Sequence, residues 1–182
     1  ISAHPTQHTV PSFAWRISTA DRQGKFDRDA TQDLPHEIKA SLAAGEDCDF
    51  DGQLLKADDY RSGIRPGLSV ILSGDTAEQA IEAECNLLIH EATFLESHSD
   101  IANEHLHSSA SGAARTANEC KAQHLALTHF SARLENHTAS LSEARKIHSS
   151  VVALSDGDRL QLQDDNTLAH LVKSHEGWSQ QD

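Results

Sequence analysis

The sequence predicts an α/β domain, and three features carry that expectation. Short apolar runs alternate with stretches of helical character, the pattern of a sheet covered by helices. Three of those runs end in side chains able to hold a metal, namely Asp75, His90 and His129. A chain of 182 residues is long enough to build a real core in one domain, so residues 1 to 182 are read as a single domain.

The elements follow in order. Residues 12 to 18, SFAWRIS, alternate apolar and polar as a half-buried strand does. A polar, glycine-containing connection leads to LPHEIKASLAAGED, where Pro35 near the start and Gly45 near the end suit a short helix. CDFDGQLLKADDY predicts a hairpin turning at Asp51-Gly52. After the loop RSGIRPG comes LSVIL, a strand stopped by Gly74-Asp75-Thr76. TAEQAIEAEC reads as a helix capped by Asp75 or Thr76. NLLIHEATF is a second apolar run, followed by a polar, histidine-rich segment. SSASGAARTANECKA, with serine caps and many alanines, predicts a helix. QHLALTHFSAR is the third run, TASLSEARKIHSS a further amphipathic helix, and VVALSDGDRLQLQDD a strand and hairpin turning at Asp156-Gly157. The end of the chain, residues 171 to 182, is polar and expected to fray.

Composition narrows the function classes. Fifteen Lys and Arg against 28 Asp and Glu give a net charge of −13, with 13 histidines uncounted. A surface that acidic does not suit general nucleic-acid binding, so any contact with RNA must be local. Three widely spaced cysteines without C-x-x-C argue against a disulfide framework and a zinc ribbon, and fit a reducing, cytoplasmic setting. No apolar stretch nears the roughly 20 residues of a membrane span, so no membrane partner is expected.

In open α/β sheets, functional groups gather beyond the carboxyl ends of strands. Three adjacent strand ends carrying Asp75, His90 and His129 would place a carboxylate and two imidazoles near one point. Carboxylate can bridge two hard cations, and imidazole is a natural neutral ligand for zinc. His36, His98, His124, His137, His148, His170 and His175 are assigned to surface or helix faces.

The motifs SGDT, LLIHEATF, HLHSSASGAARTA and LALTHFSAR stand in the order and approximate spacing of ribonuclease Z, and HPTQHTVPSFAWRI resembles that family's H-x-x-x-S-x-G-Y-R-I segment. The similarity runs from about residue 1 to residue 162. It implies the metallo-β-lactamase-like four-layer αββα sandwich, of which this chain resembles the C-terminal half. It also implies a zinc-dependent endoribonuclease that removes the 3′ trailer from precursor tRNA by attack of a metal-activated hydroxide on phosphorus, leaving a 3′-hydroxyl on the tRNA. Members of the family are usually dimers, so a homodimer is expected.

Residue by residue, the resemblance makes His8, Asp75 and His129 metal ligands, with Asp75 bridging. His107 becomes the histidine that assists the leaving oxygen, Glu91 the acid that orients it, and Arg133 an RNA-backbone contact. Strand alternation lets only one of His90 and Glu91 face the site, and Glu91 is the residue expected there. Arg61 and Arg65 are further candidates for phosphate contacts. The chain departs from the family at Leu106, Ser109, Leu134 and the pair Ala14-Trp15. It also lacks the H-x-H-x-D-H signature. Two zinc ions would need about seven protein ligands and this chain offers three, so residues 1 to 182 alone are expected neither to hold a dinuclear centre nor to cleave RNA. Two other readings are another metallo-β-lactamase-fold phosphodiesterase, and a non-catalytic truncated module for dimerisation or RNA docking.

Overall fold

A computed structural model describes residues 1–79, 81–134 and 136–181. The chain divides into two compact units, one made of Ile1–Thr19 with Leu68–Asp182 and one of Ala20–Gly67.

The first unit is built on a six-stranded sheet. Its strands are β1 (Ser2–Thr6), β2 (Ser12–Ser18), β5 (Ser69–Leu72), β6 (Leu87–Glu91), β7 (His124–Thr128) and β8 (Val151–Ala153), side by side in that order. β1, β2 and β5 pair antiparallel, whereas β5 through β8 run parallel. One face carries Ala14, Ile71, Leu88, Leu125 and Leu127, all fully buried. Against it lies α3 (Ala110–Glu119), which presents a stripe of small side chains, Ala110, Ala113, Ala114 and Ala117, each with no exposed surface. Residues this small let the helix axis approach the sheet closely, and their spacing of three and four keeps them on one side of the helix. The helix α4 (Thr138–Ala144) packs on α3 and β8.

The opposite face of the sheet is different at the β1–β2–β5 end. SFAWRIS does alternate, but it is Ala14 that is buried, while Phe13, Trp15 and Ile17 are 45%, 51% and 45% exposed. Trp15 pairs across the ladder with Leu72, itself 39% exposed, so these side chains form one apolar surface.

Residues 76–85, expected as a helix, are not one among the described positions. Gln79 has a left-handed backbone (φ 63°), and the segment's amides bond elsewhere: Gln79 N–H to the Thr116 hydroxyl and Cys85 N–H to the Cys120 carbonyl. Tertiary partners on and just after α3 outbid a modest helix propensity here. The polar, histidine-rich segment, to which the sequence assigns no element, contains the short helix α2 (Ser99–His105). The strand and hairpin expected over residues 151–165 split between two sheets. β8 stays in the large sheet, while β9 (Arg159–Leu162) joins β10 (Leu168–Ser174) and β11 (Gly177–Gln181) in a separate three-stranded sheet. Residues 171–181, expected to fray, complete β10 and form β11. Trp178 there stacks on the Arg159 guanidinium and donates its indole N–H to the Gly157 carbonyl. His170, assigned from sequence to the surface, is buried with the Asp158 carboxylate 2.9 Å from its Nε2. His148 is likewise buried, bonded to the Ala122 carbonyl.

The second unit holds α1 (His36–Ala44) and the hairpin β3 (Cys48–Phe50) with β4 (Gln53–Leu55) around its own small core of Leu42, Leu55 and Ala57. Gly45 ends α1 at φ 90° and bonds back to the Leu42 carbonyl, as a left-handed cap should. Asp51 and Gly52 both have positive φ, the backbone of the tight hairpin turn that Asp-Gly favours. All three cysteines are free. No helix among the described residues is long and apolar enough to cross a membrane.

Candidate metal centre

The parallel strands β5, β6 and β7 end side by side, and their carboxyl ends deliver Asp75, Glu91 and His129. Two of these exits, at Gly74 and His129, use a left-handed backbone. Gly74 sits at φ 61°, and a Cβ there would lie 3.2 Å from the Phe13 carbonyl oxygen, so glycine is needed for both conformation and clearance. His129 adopts φ 53° without being glycine, a conformation costing roughly 1–2 kcal/mol for an ordinary side chain. Leu106, just before His107, also has φ 53° as the residue closing α2. Strained residues held by their surroundings concentrate where side chains must be aimed.

The first cluster is His8, Asp75 and His107, with ligand-competent atoms all within 4.8 Å of one another. His8 comes from the loop between β1 and β2. That loop is tied to the Asp75 turn by the Ala77 N–H bond to the Gln7 carbonyl and by the Ser12 hydroxyl bond to the Asp75 carbonyl. The Nδ1 of His8 donates to the Leu106 carbonyl at 3.0 Å, which leaves Nε2 as the basic nitrogen. His129 Nε2 lies 3.5 Å from Asp75 Oδ1, with both side chains about half exposed. The predicted trio of His8, Asp75 and His129 is not itself such a group among the described residues: His107 takes the third place beside His8 and Asp75, and His129 reaches only Asp75 of the trio. Imidazoles and a carboxylate gathered around Asp75 are still donor types that suit a divalent cation such as zinc, as part of a larger ligand set.

Beside them lies a second cluster, Glu91, His107 and His129, again with candidate atoms within 4.8 Å. Glu91 is only 1% exposed, yet both its oxygens are satisfied. Oε1 accepts from Thr76 N–H at 2.9 Å and from His107 Nδ1 at 2.6 Å. Oε2 accepts from the Thr93 hydroxyl at 2.6 Å and from Thr93 N–H at 3.3 Å. A carboxylate so occupied is a positioning group, because its lone pairs are spent on protein donors. His107 stacks on His129 with ring centroids 5.6 Å apart and meets the His8 ring edge-on at 4.8 Å.

Strand alternation sends His90 the other way. It is fully buried, its Nδ1 bonded to the Glu91 carbonyl at 2.8 Å and its Nε2 unpaired among the described residues. Burial holds the imidazole below its ordinary titration range. Arg133 is exposed outside both clusters, lining a cavity of about 220 Å³ with Thr93, Phe94, Leu95, His98 and Leu134. Arg61 is engaged inside the second unit. Its guanidinium donates to the carbonyls of Leu42, Ala43 and Gly24, neutralising the carboxyl end of α1. Arg65 bonds to the Gln23 carbonyl.

Sequence reasoning passed over Thr93 and Thr76, which hold Glu91. The signal for Thr93 was its place two residues after Glu91, on the same side of an extended chain. The Thr76 contact is made by backbone N–H, and no residue type announces that.

No family model matches the chain. In sequence it is similar to ribonuclease Z of Haloferax volcanii, at 32% identity over 89% of this chain and 54% of that protein. Ribonuclease Z of Ignicoccus hospitalis is 35% identical over 86% of this chain and 53% of its own length. The chain therefore spans about half the length of the curated relatives it matches. Among solved structures, the metallo-β-lactamase fold protein YhfI of Bacillus subtilis superposes with a TM-score of 0.51 at 18% identity, covering 85% of this chain and 45% of that one. The six-stranded sheet and its helices are thus part of a metallo-β-lactamase fold.

Proposed function

From a chain homologous to ribonuclease Z over most of its own length and about half of theirs, we propose one half of a metal-dependent endoribonuclease acting on the 3′ trailer of precursor tRNA. The observation that supports this reading is that Asp75 lies within 4.8 Å of both His8 and His107 and 3.5 Å from His129, beside the Glu91–His107 pair. A hydrolase needs a place for the cation and a proton carrier beside it; His107, common to both clusters, would be the carrier, leaving His8, Asp75 and His129 for the cation.

His8 through Nε2, Asp75 through its carboxylate and His129 through Nε2 would hold the metal. Zinc bound there would supply Lewis acidity and a water whose pKa falls towards 7. His107 points one nitrogen at Glu91 and is left with Nε2 for substrate. In its protonated form that nitrogen can give a proton to the departing 3′-oxygen, help that is typically worth about 10²–10⁴-fold. Glu91 keeps the ring aimed and stabilises its positive form, as a buried carboxylate does for a catalytic histidine. Arg133, exposed outside both clusters, would contact an RNA phosphate. The product would be a tRNA with a free 3′-hydroxyl.

Three ligands do not complete two ions, so the remaining ligands belong to the other half of the site. The apolar surface of Phe13, Trp15, Ile17 and Leu72 supports a second β-layer, as an αββα sandwich requires. Free cysteines suit a cytoplasmic enzyme, and homodimerisation follows the family habit.

Three measurements test the reading. Calorimetric zinc titration of residues 1 to 182 should show no pair of tight sites. With the other half supplied, Asp75→Ala should abolish trailer removal, while His107→Ala should slow it and retain the metal. Metal loss in His107→Ala would assign that residue to the wrong role. Hydrolysis of bis-(p-nitrophenyl) phosphate with no trailer removal would favour a small-substrate phosphodiesterase instead.

A further inference from the structure

One hydroxyl stands between the buried acid and the half-exposed imidazole. The Thr93 oxygen is 2.6 Å from Glu91 Oε2, 3.1 Å from the His129 carbonyl and 2.9 Å from His129 Nδ1. A hydroxyl has a single proton to give. Both the carboxylate and the carbonyl can only accept, and the carboxylate contact is the shorter and charge-assisted one. Whichever of the two takes the proton, the hydroxyl turns lone pairs towards His129 Nδ1. A nitrogen held 2.9 Å from those lone pairs must carry a hydrogen.

We infer that Thr93 is a positioning residue that fixes His129 in its Nδ1–H tautomer, so that the Nε2 lone pair faces Asp75. The chain of control then begins at Glu91. Its Oε1 accepts the Nδ1–H of His107 directly, and its Oε2 reaches His129 through the Thr93 hydroxyl. One buried carboxylate sets the tautomer of two stacked imidazoles, so both rings present Nε2 to the open side. The threonine does for His129 what the Leu106 carbonyl does for His8, by holding Nδ1 as a donor. Valine has the same shape without the oxygen, and serine keeps the oxygen without the methyl, so the two substitutions separate the hydroxyl from the packing. Only the naming of that lone pair as a metal ligand rests on the nuclease reading. The tautomer itself does not.

The test uses the metal-free chain, labelled with ¹⁵N, at about pH 9, above the ordinary histidine range near 6.5. Long-range ¹H–¹⁵N correlations distinguish the two neutral forms of a ring, and His129→Gln identifies the His129 signals by their loss. In the wild type His129 is expected in the Nδ1–H form. Thr93→Val should transfer the major population to Nε2–H, and Thr93→Ser should restore the wild-type pattern. His107 should stay Nδ1–H throughout, because its 2.6 Å bond to Glu91 dominates over the 3.4 Å approach of the Thr93 hydroxyl to the same nitrogen. An Nε2–H pattern in the wild type overturns the inference without any variant, so it survives even if Thr93→Val does not fold. An unchanged His129 in Thr93→Val overturns it as well. A shift of equal size at His107 would mean general disorder of the site, and that too would sink the assignment to Thr93. Since no metal or RNA is present, failure of nuclease activity leaves this result untouched.

Discussion

Replacing Glu91 by glutamine tests how firmly the site is built into the fold. The substitution keeps shape and volume but turns one oxygen into an NH₂ group. Four protein donors now point at the carboxylate, two on each oxygen. The amide nitrogen is least disruptive on the Thr93 side, where the hydroxyl can turn its proton to the His129 carbonyl 3.1 Å away and accept instead. The Thr93 backbone N–H then loses its acceptor, a loss of about 1 kcal/mol. The two bonds at 2.6 Å fall from charge-assisted to neutral strength, about 1 kcal/mol each. The sum is about 3 kcal/mol. For a chain of this size that corresponds to a melting temperature lower by about 6–12 °C. Urea denaturation followed by circular dichroism would measure it, and with total stability of about 5–15 kcal/mol the variant still folds. A loss below about 1 kcal/mol would refute the reasoning, because it would mean that the four donors do not depend on a negative charge.

Three further outcomes are expected. Ser109→Ala removes the oxygen that accepts Gly112 N–H at the start of α3, at a cost of about 1 kcal/mol by denaturation. The Ser109 hydroxyl, assisted by Arg115, also holds the Glu96 carboxyl below its ordinary range, so its loss should raise the Glu96 midpoint in an NMR titration. Burial, reinforced in Cys85 by the neighbouring Cys120, pushes the Cys85 thiol up to about 12, and burial pushes Cys120 up to about 11. At pH 8 a thiol reagent should therefore modify Cys48 first, and two fast sites would contradict the burial. Because both folded values lie above the unfolded 9.0, this stabilisation is complete below pH 9.0 and is lost as pH rises towards 12. Finally, Arg61→Ala strips the carboxyl end of α1 of its guanidinium and should lower amide-exchange protection across residues 36 to 44. Arg61→Lys should restore it only in part, since lysine has no planar fork to reach three carbonyls.

Local chemistry was sufficient for much of the architecture. The Asp51-Gly52 turn, the Gly45 stop and the Ser109 cap are each dictated by one or two residues, and each is found where the sequence puts it. The three apolar runs became the parallel strands, because a buried strand is continuous and short in any surroundings. Where the outcome depended on distant partners, local pattern misled. Residues 76–85 have helical composition, but α3 offers their amides better bonds. Residues 151–165 looked like one strand and hairpin, yet the two strands joined different sheets.

By itself, the order of side chains put Asp75, Glu91 and His129 at or just past strand ends. Period-two alternation allowed only one of His90 and Glu91 to face the site, and which one it is was decided by the packing. Tertiary structure alone decided what those groups touch. That Glu91 is held by a backbone amide of residue 76, that His8 is held by the carbonyl of residue 106, and that Thr93 bridges Glu91 and His129 all depend on contacts across many positions. Backbone groups are identical at every residue, so no sequence pattern marks which of them will be used. The same holds for the face of SFAWRIS: alternation shows that one side is apolar, but only the packing of α3 shows that the alanine side is the one it covers.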